Sequence, residues 1–208
     1  MNCHKFATVC QCAFVLVCLI SLWPKTAHAH LMSTGFGPFY DGIIHLTMSP
    51  DDLLGVLALS LLAGLAGASL GSAVLFSLTA AWLIGGLIGL QLDQEISSPL
   101  LNTLSFLLVG ILVALDHKLP PWLVNCLSII FGLFHGFFNG SAMSEAGGGI
   151  LALLGIATGV FVIVTIAAAF VISLRLTWTR VAVRVAGSWI VAIGLLLLGW
   201  TFRGGLSF

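Results

Sequence analysis

Residues Phe134 to Glu145 read FHGFFNGSAMSE, which places His135, Asn139 and Glu145 at the far end of an apolar stretch long enough to cross a membrane. Polar and ionisable groups at membrane depth are costly, and those that persist face a cavity, a pathway or one another. His135 and Asn139 are four apart and share one helical face. A second pair repeats the spacing in PFYDGIIHL, where Asp41 precedes His45 by one turn. A carboxylate so placed can ligate a cation beside the imidazole or orient the ring from behind. Imidazole, carboxylate and amide oxygen together suit a borderline divalent metal such as Ni²⁺, Co²⁺ or Zn²⁺. Copper remains a further candidate through Met32, Met48 and Met143, although three scattered thioethers form no ladder.

The elements that must position these groups are membrane helices. Of 208 residues, 60% are hydrophobic and 7% charged, and mean hydropathy is +1.18. Soluble domains carry about 25% charged residues, so this is the composition of an all-α integral membrane protein. Formal net charge is zero, with no basic patch for nucleic acid. The lipid bilayer and a metal ion are the expected partners, and no prosthetic group is implied.

Lys5, the apolar run from Phe6 to Trp23 and the small-x-small triplet Ala27-His28-Ala29 resemble a secretory signal peptide. Cleavage after Ala29 divides the chain into a leader, 1–29, and a single membrane domain, 30–208. His30 then becomes the mature N-terminus, where its imidazole and α-amino group could chelate a metal together. Four of the five cysteines fall in the leader, leaving Cys126 and excluding a disulfide framework or thiolate cluster.

Apolar runs of about 20 residues, cut at Gly, Pro and charge, predict six crossings near 50–67, 70–91, 98–115, 120–139, 148–173 and 184–202. The segment 30–48 is too short to span and reads as an interfacial or re-entrant helix. Ser49-Pro50-Asp51-Asp52 reads as a helix start, with an N-cap serine, proline in the first turn and two acids facing the dipole. Gly132, Gly136 and Gly140 recur every fourth residue and let another helix approach closely. Gly85 and Gly89, or Gly155 and Gly159, are the possible partners.

Arg175, Arg180 and Arg184 lie between the fifth and sixth spans, so that connection should be cytoplasmic. An exported leader gives the same parity. His135, Asn139 and Glu145 then fall at the outer end with Asp41, His45 and His30, and both mature termini face the periplasm of a bacterial inner membrane.

At these residues the chain resembles the HupE/UreJ family of hydrogenase and urease accessory membrane proteins, regarded as nickel or cobalt permeases. The family's motifs have the form HxxxxxGxDH near the start and FHGxAHGxE in the fourth span. Phe134-His135-Gly136 matches the second; Asn139-Gly140 stands where relatives often have His-Gly, and the acid is displaced to Glu145. Asp41 and His45 are separated where the first motif has an adjacent pair. The resemblance implies a permease of a divergent branch, taking Ni²⁺ or Co²⁺ from the periplasm through Asp41, His45, His135, Asn139 and Glu145, and serving a metalloenzyme maturation system. His135 would be the principal ligand.

Two other classes compete. A binding protein without flux would use the same ligands. An intramembrane hydrolase would need a nucleophile beside His135 and Glu145, for which Ser141 and Ser144 are at hand, but no GxSxG or HExxH pattern occurs. The expected class is a transporter, not an enzyme.

Overall fold

A computed structural model describes residues 34–92, 96–174 and 177–204. The leader, His30, Asp93, Glu95 and Arg175 lie outside the described residues. Among the described residues seven helices follow one another: α1 (Pro38–Met48), α2 (Pro50–Ala66), α3 (Ala68–Gly89), α4 (Pro99–Leu115), α5 (Pro121–Glu145), α6 (Gly149–Ser173) and α7 (Thr177–Gly204). Pro38, Pro50, Pro99 and Pro121 all fall in first turns, where a missing N–H costs no intrahelical bond.

Among the described residues four segments are long and apolar enough to cross a membrane: α3, α5, α6 and Arg180–Arg203 of α7. The pair α1 and α2, bent by 76° at Ser49, makes a fifth if counted as one span. The 17 residues of α4 are apolar but shorter. The result is a multi-pass helical membrane protein with four to five spans by length and apolarity among the described residues, against six expected from sequence.

Several boundaries differ from expectation. The turn between α2 and α3 is the single residue Gly67, at φ 111°, a backbone region that side-chain-bearing residues rarely adopt. Helix α5 continues to Glu145, so the acid stays on the helix. Helix α7 begins at Thr177, so Arg180 and Arg184 are helical residues and not part of a loop. Ser49 stands at the N-cap of α2 without a side-chain cap bond; its hydroxyl turns back to the His45 carbonyl at 2.8 Å.

The core is organised by close helix contacts. Helices α3 and α5 run side by side in parallel, and their glycines alternate along the seam. A methyl group added at Gly136 would strike the Trp82 carbonyl, one at Gly140 the Gly86 carbonyl, and one at Gly85 the Leu133 carbonyl. Ser77 Oγ also bonds Asn125 Oδ1 at 2.8 Å across this seam. Gly85 and Gly89 are thus the partners of the α5 row. Gly155 and Gly159 instead admit α1, meeting the Phe39 carbonyl and the Leu46 side chain. Helix α4 leans on α2 and on antiparallel α7, and it leaves an apolar gap of about 330 Å³ against α5.

At one end of the bundle Asp116, the left-handed cap of α4, receives Arg180 through two hydrogen bonds of 2.5 and 2.9 Å. Arg184 donates to the Ala114 carbonyl at 3.1 Å, placing a cation at the negative end of α4. The Arg180 hydrogen bonds hold the Asp116 carboxyl below its usual value of 3.8. A depressed folded-state value stabilises above the unfolded one, and the benefit disappears as pH falls through the folded value. Arg180 is half exposed, so the pair contributes under about 1 kcal/mol. Asp116→Asn should therefore melt slightly below wild type at pH 7 in detergent, and the two curves should converge on strong acidification.

Candidate metal site

The opposite end gathers polar side chains from four helices. Asp52 lies on the same face of α2 as Gly55, Val56, Leu59 and Ala63, all buried, and is itself only 3% exposed. A bare carboxylate there would cost several kcal/mol, about the effective penalty for an unpaired buried ion. Three features offset that cost. His135 Nδ1 lies 2.6 Å from Asp52 Oδ1, Asn139 Nδ2 donates to Asp52 Oδ2 at 2.9 Å, and the positive end of α2 faces the acid.

His135 is fixed on every side. An ionised Asp52 only accepts, so Nδ1 carries the proton of that bond. Nε2 lies 2.7 Å from Ser105 Oγ on α4, and Ser105 Oγ is also 2.7 Å from the Asn102 carbonyl. The hydroxyl has one proton for these two neighbours: it serves Nε2 of a neutral ring, or the carbonyl when Nε2 is itself protonated. The imidazole stacks on Phe131 with centroids 3.9 Å apart and lies 5.8 Å from Trp82. Complete burial and two engaged nitrogens leave this ring little rotational freedom.

Asp51 sits beside Asp52 and receives Asn102 Nδ2 at 2.8 Å. One ligand atom from each of Asp51, Asp52 and His135 can be chosen so that all three lie within 4.8 Å of one another, a grouping that could hold a metal ion. These acids adjoin a cavity of about 130 Å³ that is also lined by His45, Ser49, Asn102 and Asn139. At about 30 Å³ per water, it has room for a few waters or a partly hydrated ion. The buried oxygens Asn102 Oδ1 and Asn139 Oδ1 have no hydrogen-bond partner among the described residues. An orphaned buried acceptor costs about 1–3 kcal/mol, and a cation would relieve that cost.

Of the residues picked out by sequence, the structure brings together His135, Asn139 and His45. Asp41 faces elsewhere: its Oδ1 takes the backbone N–H and hydroxyl of Thr34, each at 2.6 Å. Glu145 is exposed at the last turn of α5 and is not among the cavity-lining residues. His135 does not line the cavity either; it stands behind Asp52. The hydroxyls considered as nucleophiles hold backbone. Ser141 Oγ takes the Ile96 N–H at 3.1 Å, and Ser144 Oγ donates to the Leu90 carbonyl at 3.3 Å.

Sequence reading missed Asp51, Asp52, Asn102 and Ser105. By local context alone, Asp51 and Asp52 are acids suited to a helix N-terminus. The overlooked signal was periodicity, since an acid in register with Gly55, Val56 and Leu59 points into the core. Asn102 and Ser105, three apart in an apolar helix, carried a similar signal.

This is a polytopic helical membrane protein with a buried carboxylate–imidazole pair and amide oxygens around a small cavity. The model of the HupE / UreJ protein family matches residues 16–197, and the chain belongs to that family. Membership gives it a metal-related membrane function. No curated protein and no solved structure matches the chain.

Proposed function

We propose that the protein is a secondary permease that admits a divalent transition metal, with Ni²⁺ and Co²⁺ in its range, from the periplasm across a bacterial inner membrane. The observation that carries this reading is the convergence of Asp51, Asp52 and His135 beside two partnerless amide oxygens. Asp51, Asp52 and His45 meet the ion, and His135 orients Asp52 as an imidazole supports a ligating carboxylate. Asp41 and Glu145 would attract the ion on its outer approach.

The six-crossing topology is part of this reading. Short α4 and bent α1–α2 complete the alternation of helix direction, and the 17 residues of α2 or α4 reach about 26 Å, near the hydrocarbon thickness. Arg180 and Arg184 at the other end favour its assignment to the cytoplasm. No nucleotide-binding GxxxxGKS loop occurs in the sequence. A divalent ion entering a negative interior gains about 4.6 kcal/mol per 100 mV, which can drive uptake without ATP. Below Asp52 the way is closed by Val56, Leu59, Phe106 and Phe131, all buried. Flux therefore requires the helices to part.

His135→Ala should abolish metal accumulation in cells while the chain still inserts in the membrane. Unchanged accumulation at equal membrane abundance would remove the residue on which the Asp52 geometry depends.

A further inference from the structure

A second cavity, of about 310 Å³, lies at the end of the bundle away from Asp51 and Asp52. Asp116, His117, Lys118 and Arg180 line it, with Leu62, Leu65 and Val124 among its apolar residues. A metal finds little there. Arg180 occupies both Asp116 oxygens, which leaves one imidazole, that of His117, as the remaining side-chain ligand. The charge balance favours an anion instead. Lys118, Arg180 and Arg184 all act on Asp116, and three cations against one carboxylate leave two positive charges unmatched. The other described acids, Asp41, Asp51, Asp52 and Glu145, belong to the opposite end. The C-terminal end of α2 and the N-terminal end of α5 both border the cavity with opposed dipoles, so the side chains set its sign.

This end also lies at the membrane boundary. The apolar span of α7 starts at Arg180 and that of α5 at Pro121. Trp122 and Trp178, 66% and 63% exposed, stand in the first turns of those two helices, and indoles favour the headgroup level of a bilayer. Surplus positive charge and an apolar wall thus meet at the depth of lipid phosphates. We propose that the cavity binds the headgroup and upper acyl region of an anionic phospholipid, with Lys118 and Arg180 holding the phosphate. The site is separate from the metal cavity and does not depend on how that cavity is read.

The test follows thermal unfolding of the purified full-length protein in detergent with added phosphatidylglycerol, phosphatidylcholine or inorganic phosphate, and counts retained lipid by native mass spectrometry. A basic side chain beside an anionic headgroup is worth about fivefold in affinity, so two unmatched charges should favour phosphatidylglycerol over the zwitterionic lipid by at least about tenfold. Lys118→Gln should weaken phosphatidylglycerol binding by about fivefold and Lys118→Arg should retain it. Arg203→Gln, which removes an exposed charge at the far end of α7, should leave binding unchanged. Lys118 is exposed as well, so the midpoint of Lys118→Gln in detergent alone should match wild type. An equal response to the two lipids, or a preference that survives Lys118→Gln, overturns the proposal. Equal weakening by Arg203→Gln would do the same by showing attraction to net charge alone. Inorganic phosphate matching the effect of phosphatidylglycerol would also overturn it, in favour of a free-anion site.

Discussion

Asp52→Ala should lower the stability of the detergent-solubilised protein by about 3–5 kcal/mol, the usual cost of removing one partner from a buried ionic pair. The carboxylate satisfies His135 Nδ1 and Asn139 Nδ2 at the same time, so its loss removes a partner from two buried groups, Asn139 Nδ2 keeping only its bond to the His135 carbonyl. Asp52→Asn keeps the shape but turns an acceptor pair into one acceptor and one donor. Both contacts survive only if His135 changes tautomer, Nδ1 accepting from the new amide and Nε2 donating to Ser105 Oγ. In a double-mutant cycle, Asp52→Ala and His135→Ala should be strongly non-additive, since each removes the same bond; coupling of about 1–3 kcal/mol is expected for residues in one network. Thermal unfolding of the four proteins reads this directly, and additive effects would mean that the pair does not act as a unit.

Gly136→Ala should be nearly as damaging, although it adds only a methyl group. The new carbon would collide with the backbone of Trp82, which no rotamer change can move aside. Helix α5 would have to withdraw from α3, at a cost of about 1–3 kcal/mol for overpacking, with the upper end expected against backbone. Trp82 and Phe131 also flank the His135 ring, so the same displacement loosens the imidazole from Asp52. Metal binding should fall together with stability. Gly199→Ala provides the contrast: nothing lies within 4 Å of an added carbon there, and the change should stabilise α7 by about 0.5–1 kcal/mol. Melting temperatures of the two variants should move in opposite directions.

Much of the fold was legible because membrane helices announce themselves by length and punctuation. Pro50, Pro99 and Pro121 mark starts that the structure places within a residue of expectation. The glycine row of α5 could be read from fourfold spacing, with Gly85–Gly89 and Gly155–Gly159 left open as its partner. That Gly155 and Gly159 receive α1 could not, since spacing identifies a close approach but not the helix that makes it. At the site, spacing paired His135 with Asn139. It said nothing about Asp52, 83 residues away in sequence from His135. The acid was hidden by a sufficient local explanation, the helix dipole, which accounts for a carboxylate in a first turn without asking which way it faces. Asp41 shows the converse: its i, i+4 relation to His45 is plain in the sequence, but spacing does not reveal that its carboxylate accepts from Thr34.

The most direct test of a metal path through Asp52 is divalent-metal entry into sealed proteoliposomes, followed with a trapped metal-sensitive dye, for wild type and Asp52→Asn reconstituted at equal density. The prediction is membrane-potential-dependent entry for wild type and entry at the protein-free rate for the variant. Equal entry through both proteins would contradict it.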